Sequence, residues 1–118
     1  MATLTDVKVI HTAPGWTKIS ARITGPSSYL TATKDPLDLS DYFEEVRAVS
    51  FSGVVAAANA LIKADWFSAD GAPAAGVVVY TWGGGDAAVF KEVTNTTDLD
   101  GYTFWITAEG FPLNSVVD

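Results

Sequence analysis

A nine-residue stretch near the N-terminus, WTKISARIT over 16–24, constrains the fold most strongly because its side chains alternate strictly. A period of two residues is what a half-buried β-strand needs, since successive side chains point to opposite faces. The Gly-Pro-Ser-Ser segment over 25–28 then favours a turn. The stretch therefore predicts a strand with a core face and a polar face. The core face holds Thr17, Ile19, Ala21 and Ile23, and the polar face holds Lys18, Ser20, Arg22 and Thr24.

Short strands separated by turn residues continue along the chain. The Ala-Pro-Gly turn over 13–15 predicts a hairpin between a strand over 3–11 and the alternating stretch. Further strands are predicted over 45–52, 61–67, 76–82, 87–94 and 102–109. Roughly seven strands predict a single-domain all-β fold over 1–118, an antiparallel β-sandwich or a small β-barrel with short helical turns.

Four segments allow finer expectations. Residues 54–60 are rich in alanine and favour helix, whereas 61–67 alternates and favours strand. Residues 68–75 are interpreted as a loop, and 25–36 as a long connection. The segment 76–82 is apolar on both faces, as expected for a central strand packed from both sides.

Two segments share the pattern Asp-Leu-x-x-Tyr, at 38–42 and at 98–102, and each precedes a predicted strand. We expect a common turn at the start of both strands. At the first of them, Asp38 or Ser40 could cap a single helical turn, because the run is too short for a longer helix.

The composition argues against several classes of partner. The chain has 118 residues, a formal net charge of −7 and seven scattered Lys and Arg residues, which cannot form the basic stripe that nucleic acids require. The same charge would repel an anionic membrane, and no segment reaches the length needed to span a bilayer. There is no cysteine, which suits assembly in a reducing cytoplasm, and no signal peptide is expected.

No motif indicates catalysis or a cofactor. His11 is the only histidine, the three glycines at 83–85 lead into a predicted strand instead of a helix, and neighbouring acids such as Glu44 and Glu45 are typical of solvated loops. Asp98 and Asp100 lack the further oxygen ligands of a calcium loop and favour an Asx-turn. We expect no catalytic residue, no metal and no cofactor, and a chain that is not an enzyme.

The aromatic residues are better candidates for a site. In the last predicted strand Trp105 lies on the face opposite Phe104 and Ile106, where it is either covered by a second layer or exposed as a contact residue. Trp66 and Phe67 should point to opposite faces. A carbohydrate-binding β-sandwich is the alternative function, and it would present tryptophans such as Trp66, Trp82 or Trp105 as one flat platform.

A resemblance adds a functional expectation. The run KISARITGPSSY over 18–29, followed by DLSD over 38–41, FSG over 51–53, EV over 92–93, TDL over 97–99 and YTF over 102–104, resembles small head proteins of tailed bacteriophages. These are the decoration or cement proteins of the capsid. The resemblance implies a virion protein, made in the host cytoplasm, that oligomerises as a dimer or trimer. It would bind the capsid exterior and bridge major capsid subunits.

Three groups of residues are expected to make these contacts, and the first consists of the aromatic residues Trp66, Phe67 and Trp105. The polar face of the alternating strand is not acidic in an otherwise acidic protein, which makes it a candidate contact surface for an acidic partner. The termini over 1–4 and 111–118 are expected to act as docking arms outside the strand core. The candidate contact residues are Lys18, Arg22, Trp66, Phe67, Trp105, Phe111, Leu113, Val116 and Val117.

Overall fold

The structure is a computed structural model that describes residues 2–13, 15–55, 62–69, 71–82 and 91–113. The described residues form eight β-strands and no helix, which confirms the predicted all-β class. The strands are β1 (Thr5–Ala13), β2 (Trp16–Thr24), β3 (Asp35–Asp38), β4 (Phe43–Val55), β5 (Ile62–Ala69), β6 (Ala72–Trp82), β7 (Lys91–Glu92) and β8 (Thr103–Pro112).

The strands build two antiparallel sheets. The first sheet has the order β1-β2-β8-β4, and the second has the order β3-β6-β5, with β7 also paired to β6. The predicted hairpin of β1 and β2 is confirmed. The pairing of β2 with β8 is regular from Thr17 opposite Gly110 to Thr24 opposite Thr103. This unbroken register fixes which side chains of the first sheet face inward.

One apolar core lies between the inner faces of the two sheets. The alternation predicted for β2 is confirmed, because Ile19, Ala21 and Ile23 are completely buried. Phe104 of β8 packs against Tyr80 of β6 with their ring centres 5.6 Å apart, which joins the first sheet to the second. The largest core side chains are Tyr29, Tyr80, Phe43, Phe104, Ile19, Ile23, Leu37, Leu39, Leu99, Ile106 and Val78.

The chain before β1 belongs to this core. Ala2 is buried, and its N–H donates to the carbonyl oxygen of Pro36 at 2.9 Å, while Leu4 packs against the core. The premise that residues 1–4 lie outside the strand core is therefore wrong for these two residues. Whether this segment docks to a partner stays a prediction.

Several predicted boundaries change. The short strand β3 lies within a segment predicted as connection and turn, and 68–75 is mostly strand instead of a loop. The turn between β5 and β6 is tight, and Gly71 there has a φ of 75°, a conformation that glycine adopts without a steric penalty. The register of the pair shifts beyond Ser68, and Pro73 lies in that irregularity, where its missing N–H costs no ladder hydrogen bond.

Other predictions on the middle of the chain have mixed outcomes. A strand in the second half of the ambiguous segment is confirmed by β5. The alanine-rich residues 56–60 lie outside the described residues, as do the glycine turn at 83–85 and most of the strand predicted over 87–94. Lys91 and Glu92 are the part of that strand that the structure describes.

The first Asp-Leu-x-x-Tyr segment forms a compact turn that ends where β4 begins. The carboxylate of Asp38 accepts a hydrogen bond from the N–H of Ser40 at 2.8 Å. The carbonyl oxygen of Leu39 then accepts from the N–H groups of Tyr42 and Phe43 at 3.0 and 3.1 Å. The predicted helical turn is thus one hydrogen-bonded turn and not a helix.

The second Asp-Leu-x-x-Tyr segment repeats this geometry ahead of β8. The carboxylate of Asp98 accepts from the N–H of Asp100 at 3.0 Å, and the carbonyl oxygen of Leu99 accepts from the N–H of Tyr102 at 3.0 Å. The leucine is completely buried in both turns. The shared pattern therefore sets the point at which each of these two neighbouring strands begins, as the sequence predicted.

The inward and outward positions of β8 should differ sharply in their effect on stability. We expect Ile106→Ala to lower the free energy of unfolding by about 2–5 kcal/mol, because it leaves a cavity in the core. Trp105→Ala, one residue earlier and on the outer face, should cost less than about 1.5 kcal/mol. Urea denaturation of both variants measures this, and equal losses would contradict the orientation of β8.

Candidate functional site

The outer face of the first sheet is the main candidate site. Because inward and outward positions alternate along each strand, the outward residues of β1, β2, β8 and β4 form rows across the sheet, on the side away from the core. We call this surface the first-sheet face. It comprises Lys8, Ile10, Trp16, Lys18, Ser20, Arg22, Glu45, Arg47, Ala48, Ser50, Ser52, Trp105, Thr107, Glu109 and Phe111.

The centre of the first-sheet face is flat and polar. Ser20, Thr107 and Ser50 lie in one row across β2, β8 and β4. Their short hydroxyl side chains can donate and accept hydrogen bonds, and they leave the sheet surface open to a partner.

One end of the face carries a cation on an aromatic ring. Arg22 and Trp105 are direct cross-strand neighbours, and the guanidinium carbon of Arg22 lies 5.6 Å from the centre of the Trp105 ring. Trp105 is 40 % exposed. The question left open by the sequence is answered for this residue, since Trp105 points away from the core.

The other end carries a second cluster of the same kind. Trp16 meets Phe111 edge to face with ring centres 5.4 Å apart, and the guanidinium of Arg47 lies 5.0 Å from the centre of the Phe111 ring. Arg47 also pairs with Glu45. Trp105 and Phe111 are six positions apart along β8, so the two clusters stand about 20 Å apart.

The charge of the first-sheet face is opposite to that of the chain. Four of the seven basic residues, Lys8, Lys18, Arg22 and Arg47, lie on it with Glu45 and Glu109, while the exposed acids Asp6 and Glu44 lie in the irregular parts of β1 and β4 beside it. The formal net charge of the chain is −7. A locally positive surface on an acidic protein favours acidic partners and orients them as they approach.

The remaining predicted contact residues are distributed over other surfaces. Trp66 is half-buried and its indole N–H donates to the carbonyl oxygen of Leu37 at 3.1 Å, whereas Phe67 is 57 % exposed on the outer face of the second sheet. Their predicted opposite orientation is therefore confirmed. Leu113 is exposed just after β8, and Val116 and Val117 lie outside the described residues.

Phe111 requires a correction. It was assigned to a docking arm outside the strands, but it lies within β8 opposite Glu45 of β4. Its contacts with Trp16 and Arg47 make it part of the first-sheet face. Trp16 and Arg47 themselves were not predicted as site residues.

The tryptophans do not form the platform that a carbohydrate-binding module would need. Trp82 lies at the end of β6, where it pairs with Ile62, and Trp66 lies on β5 of the same sheet. Trp105 lies on the first sheet and points away from both. No common flat surface joins the three rings.

A polar cluster at one end of the sandwich has a structural role. The phenol of Tyr29 donates to Glu92 at 2.6 Å, and Lys34 donates to the same carboxylate oxygen at 2.5 Å. The phenol of Tyr80 donates to Asp35 at 3.2 Å. Burial raises the pKa of both tyrosines, so both phenols stay protonated at neutral pH.

A cavity of about 440 Å³ lies near this cluster, between β7 and the turn before β8. Its walls are largely apolar and include Ile62, Trp82, Val93 and Leu99. Glu92 also lines the cavity, and hydrogen bonds from Lys34 and Tyr29 lower the pKa of its carboxyl.

Among the described residues, no cluster of three or more His, Asp or Glu side chains could hold a metal ion. Within the same ranges, no helix is long and apolar enough to cross a membrane. Comparisons of the chain with protein-family models, with curated proteins and with solved structures found no match. The geometry of the first-sheet face is therefore the principal guide to function.

Glu92 should make stability depend on pH. Its hydrogen bonds from Lys34 and Tyr29 lower the pKa of Glu92 below its usual value of 4.5, so its contribution is present above that pH and is lost as pH falls through the lowered pKa. We expect Glu92→Gln to cost about 0.5–1 kcal/mol at pH 7, the range of a partly exposed ion pair.

Urea denaturation of both proteins at pH 7 and at pH 3 measures this effect. The difference between wild type and Glu92→Gln should shrink at the lower pH. A difference that is constant across this range would contradict the role assigned to the Glu92 carboxylate.

Proposed function

We propose that this chain is a structural protein of a tailed-phage virion that attaches to the exterior of the capsid through its first-sheet face. The observation that carries the proposal is the exposed, basic sheet face on an acidic protein, with an aromatic–cation cluster at each end. The resemblance of the sequence to small head proteins supplies the class of partner. The role is one of binding and assigns no catalytic step to the chain.

The chemistry of the face fits an acidic surface of the major capsid protein. Arg22 rests on the ring of Trp105, so its guanidinium is already ordered before a carboxylate binds, and less side-chain entropy is lost on association. Arg47 on Phe111 has the same arrangement at the other end. The row of hydroxyl groups between them can exchange hydrogen bonds with a polar partner.

Stabilisation of a shell would follow from linkage. A protein that binds the assembled shell and not its separated subunits shifts the equilibrium toward the shell. Bridging two neighbouring subunits would increase the effect, because the second contact forms at a high effective concentration. The two clusters, about 20 Å apart, could each engage a different subunit.

Charge reversal on the first-sheet face should weaken attachment. We expect the double variant Lys18→Glu, Arg22→Glu to bind capsids at least tenfold more weakly in cosedimentation, because it replaces two positive charges with two negative ones facing the acidic partner. Rising salt should also weaken wild-type attachment.

The matched control is Lys63→Glu, Lys91→Glu, which changes the net charge equally but alters exposed residues of the second sheet. It should retain attachment within about threefold. Equal weakening by both double variants would show a nonspecific charge effect, and undiminished attachment of the first would remove the proposed surface.

The aromatic anchor provides a second test. We expect Trp105→Ala to weaken capsid attachment by about 2 kcal/mol or more, as for a tryptophan hot spot of an interface, while the protein stays folded in thermal unfolding. Cosedimentation in the presence of neutral oligosaccharides distinguishes the alternative function. Competition by such a sugar would indicate that the face also binds carbohydrate.

A further inference from the structure

The outer face of the second sheet presents an apolar surface that the proposed attachment does not use. Register places Phe67, Val77 and Pro36 in one row across β5, β6 and β3. Val79 and Ala75 are the outward residues of β6 on either side of Val77. We call these five residues the second-sheet face. No residue of the first sheet covers them, because they point away from the core.

The sequence of β6 is that of a strand with layers on both sides. Val78 and Tyr80 point inward and are completely buried, whereas Val77 and Val79 point outward and are only half-buried. Strands that read as continuous apolar runs are usually covered on both faces. Within the described residues, the first sheet covers the inner side of β6, and no layer covers its outer side.

This face carries the most exposed large apolar side chain of the described residues. Phe67 is 57 % exposed, the largest value among the exposed large apolar side chains of the described residues. Pro36 in the same row is also exposed. Contiguous apolar patches of this kind on soluble proteins commonly mark contact sites with another protein.

The charges around the face favour a second copy of this chain as the partner. A chain with a net charge of −7 repels its own copies over most of its surface. The five residues of the second-sheet face carry no charge, and the neighbouring Lys63 and Asp65 pair with each other at 3.6 Å. Asp38 lies at the periphery, where its carboxylate accepts from Ser40. Two copies can therefore meet here without opposing like charges at the centre.

The two ends of the row differ in the size of their side chains. Phe67 is large and lies on one side of Val77, and the flat ring of Pro36 lies on the other side. A two-fold axis parallel to β6 and passing by Val77 would place Phe67 of each copy over Pro36 of the other. In such an interface the same patch serves both subunits.

From these observations we infer that the chain forms a two-fold symmetric dimer through the second-sheet face, with Val77 at the axis and Phe67 packed against Pro36 of the other copy. The inference goes beyond capsid attachment, because it concerns the isolated protein in solution. The first-sheet faces of such a dimer would point away from each other.

Cysteine cross-linking tests the geometry without background, because the chain has no cysteine of its own. Facing sheets lie roughly 10 Å apart, so a short bis-maleimide reagent is suitable. At micromolar protein we expect Val77→Cys to form cross-linked dimers at least tenfold faster than Thr107→Cys, a half-buried position at the centre of the first-sheet face. A mixture of Pro36→Cys and Phe67→Cys should cross-link faster than either variant alone.

Sedimentation equilibrium tests the association itself. The wild-type chain of 12.5 kDa should show a mass near twice that value, and Phe67→Lys should weaken self-association at least tenfold. Leu30→Lys is the control, since Leu30 is 45 % exposed on a different surface. Thermal unfolding of both variants checks that the fold is retained.

Three results would overturn the inference. They are a monomer at all concentrations, a dimer unaffected by Phe67→Lys, and equal cross-linking rates for Val77→Cys and Thr107→Cys. Failure of capsid attachment would leave these results unchanged, so the two proposals are tested separately.

Discussion

The regular pairing of β2 with β8 is the constraint on which the rest of the structure depends. Because side chains alternate with a period of two, a shift of one residue would move every core side chain of the strand to the opposite face. The register from Thr17 opposite Gly110 to Thr24 opposite Thr103 has no bulge, unlike the pairings on either side of it. It brings Ile23 beside Phe104 in the core, and by the same geometry Arg22 beside Trp105 on the surface. The core and the candidate site are thus set by one pairing.

The turns before β4 and β8 keep this register in place. Each holds a buried leucine beneath an Asx-turn, and each leucine N–H is tied to another part of the chain: Leu39 to Ala74, and Leu99 to Pro26. The second turn is packed closely against Gly25, where a Cβ atom would lie 2.3 Å from the carbonyl oxygen of Leu99. A glycine at the end of β2 therefore allows the turn that starts β8 to close on it. Local sequence and long-range packing agree at this point, which is typical of a well-specified fold.

The sequence allowed the all-β class, the face assignment of β2 and β8, and the common turn to be predicted, because all three depend on local patterns. It did not allow β3 or the early start of β6 to be predicted. In those segments Pro36 and Pro73 resemble loop residues, and only pairing with a neighbouring strand makes them extended. The site shows the same division. Lys18, Arg22 and Trp105 follow from alternation, whereas Trp16 and Arg47 join the site through their contacts with Phe111, and that neighbourhood depends on the order of strands in the sheet.

The two outer faces of the sandwich differ in chemistry, and each of the two proposals assigns one of them to a different partner. The first-sheet face is basic and rich in hydroxyl groups, so two copies of it would repel each other while an acidic surface would attract it. The second-sheet face is apolar and carries no charge, so it can meet its own copy in an otherwise acidic protein. The core lies between the two sheets, so the two faces point in opposite directions. A dimer through the second-sheet face would hence present two basic faces in opposite directions, and a shell could engage one of them while the other stays available for a further contact. In such an arrangement the first contact with the shell would make further contacts easier, because the dimer is then already held close to the shell.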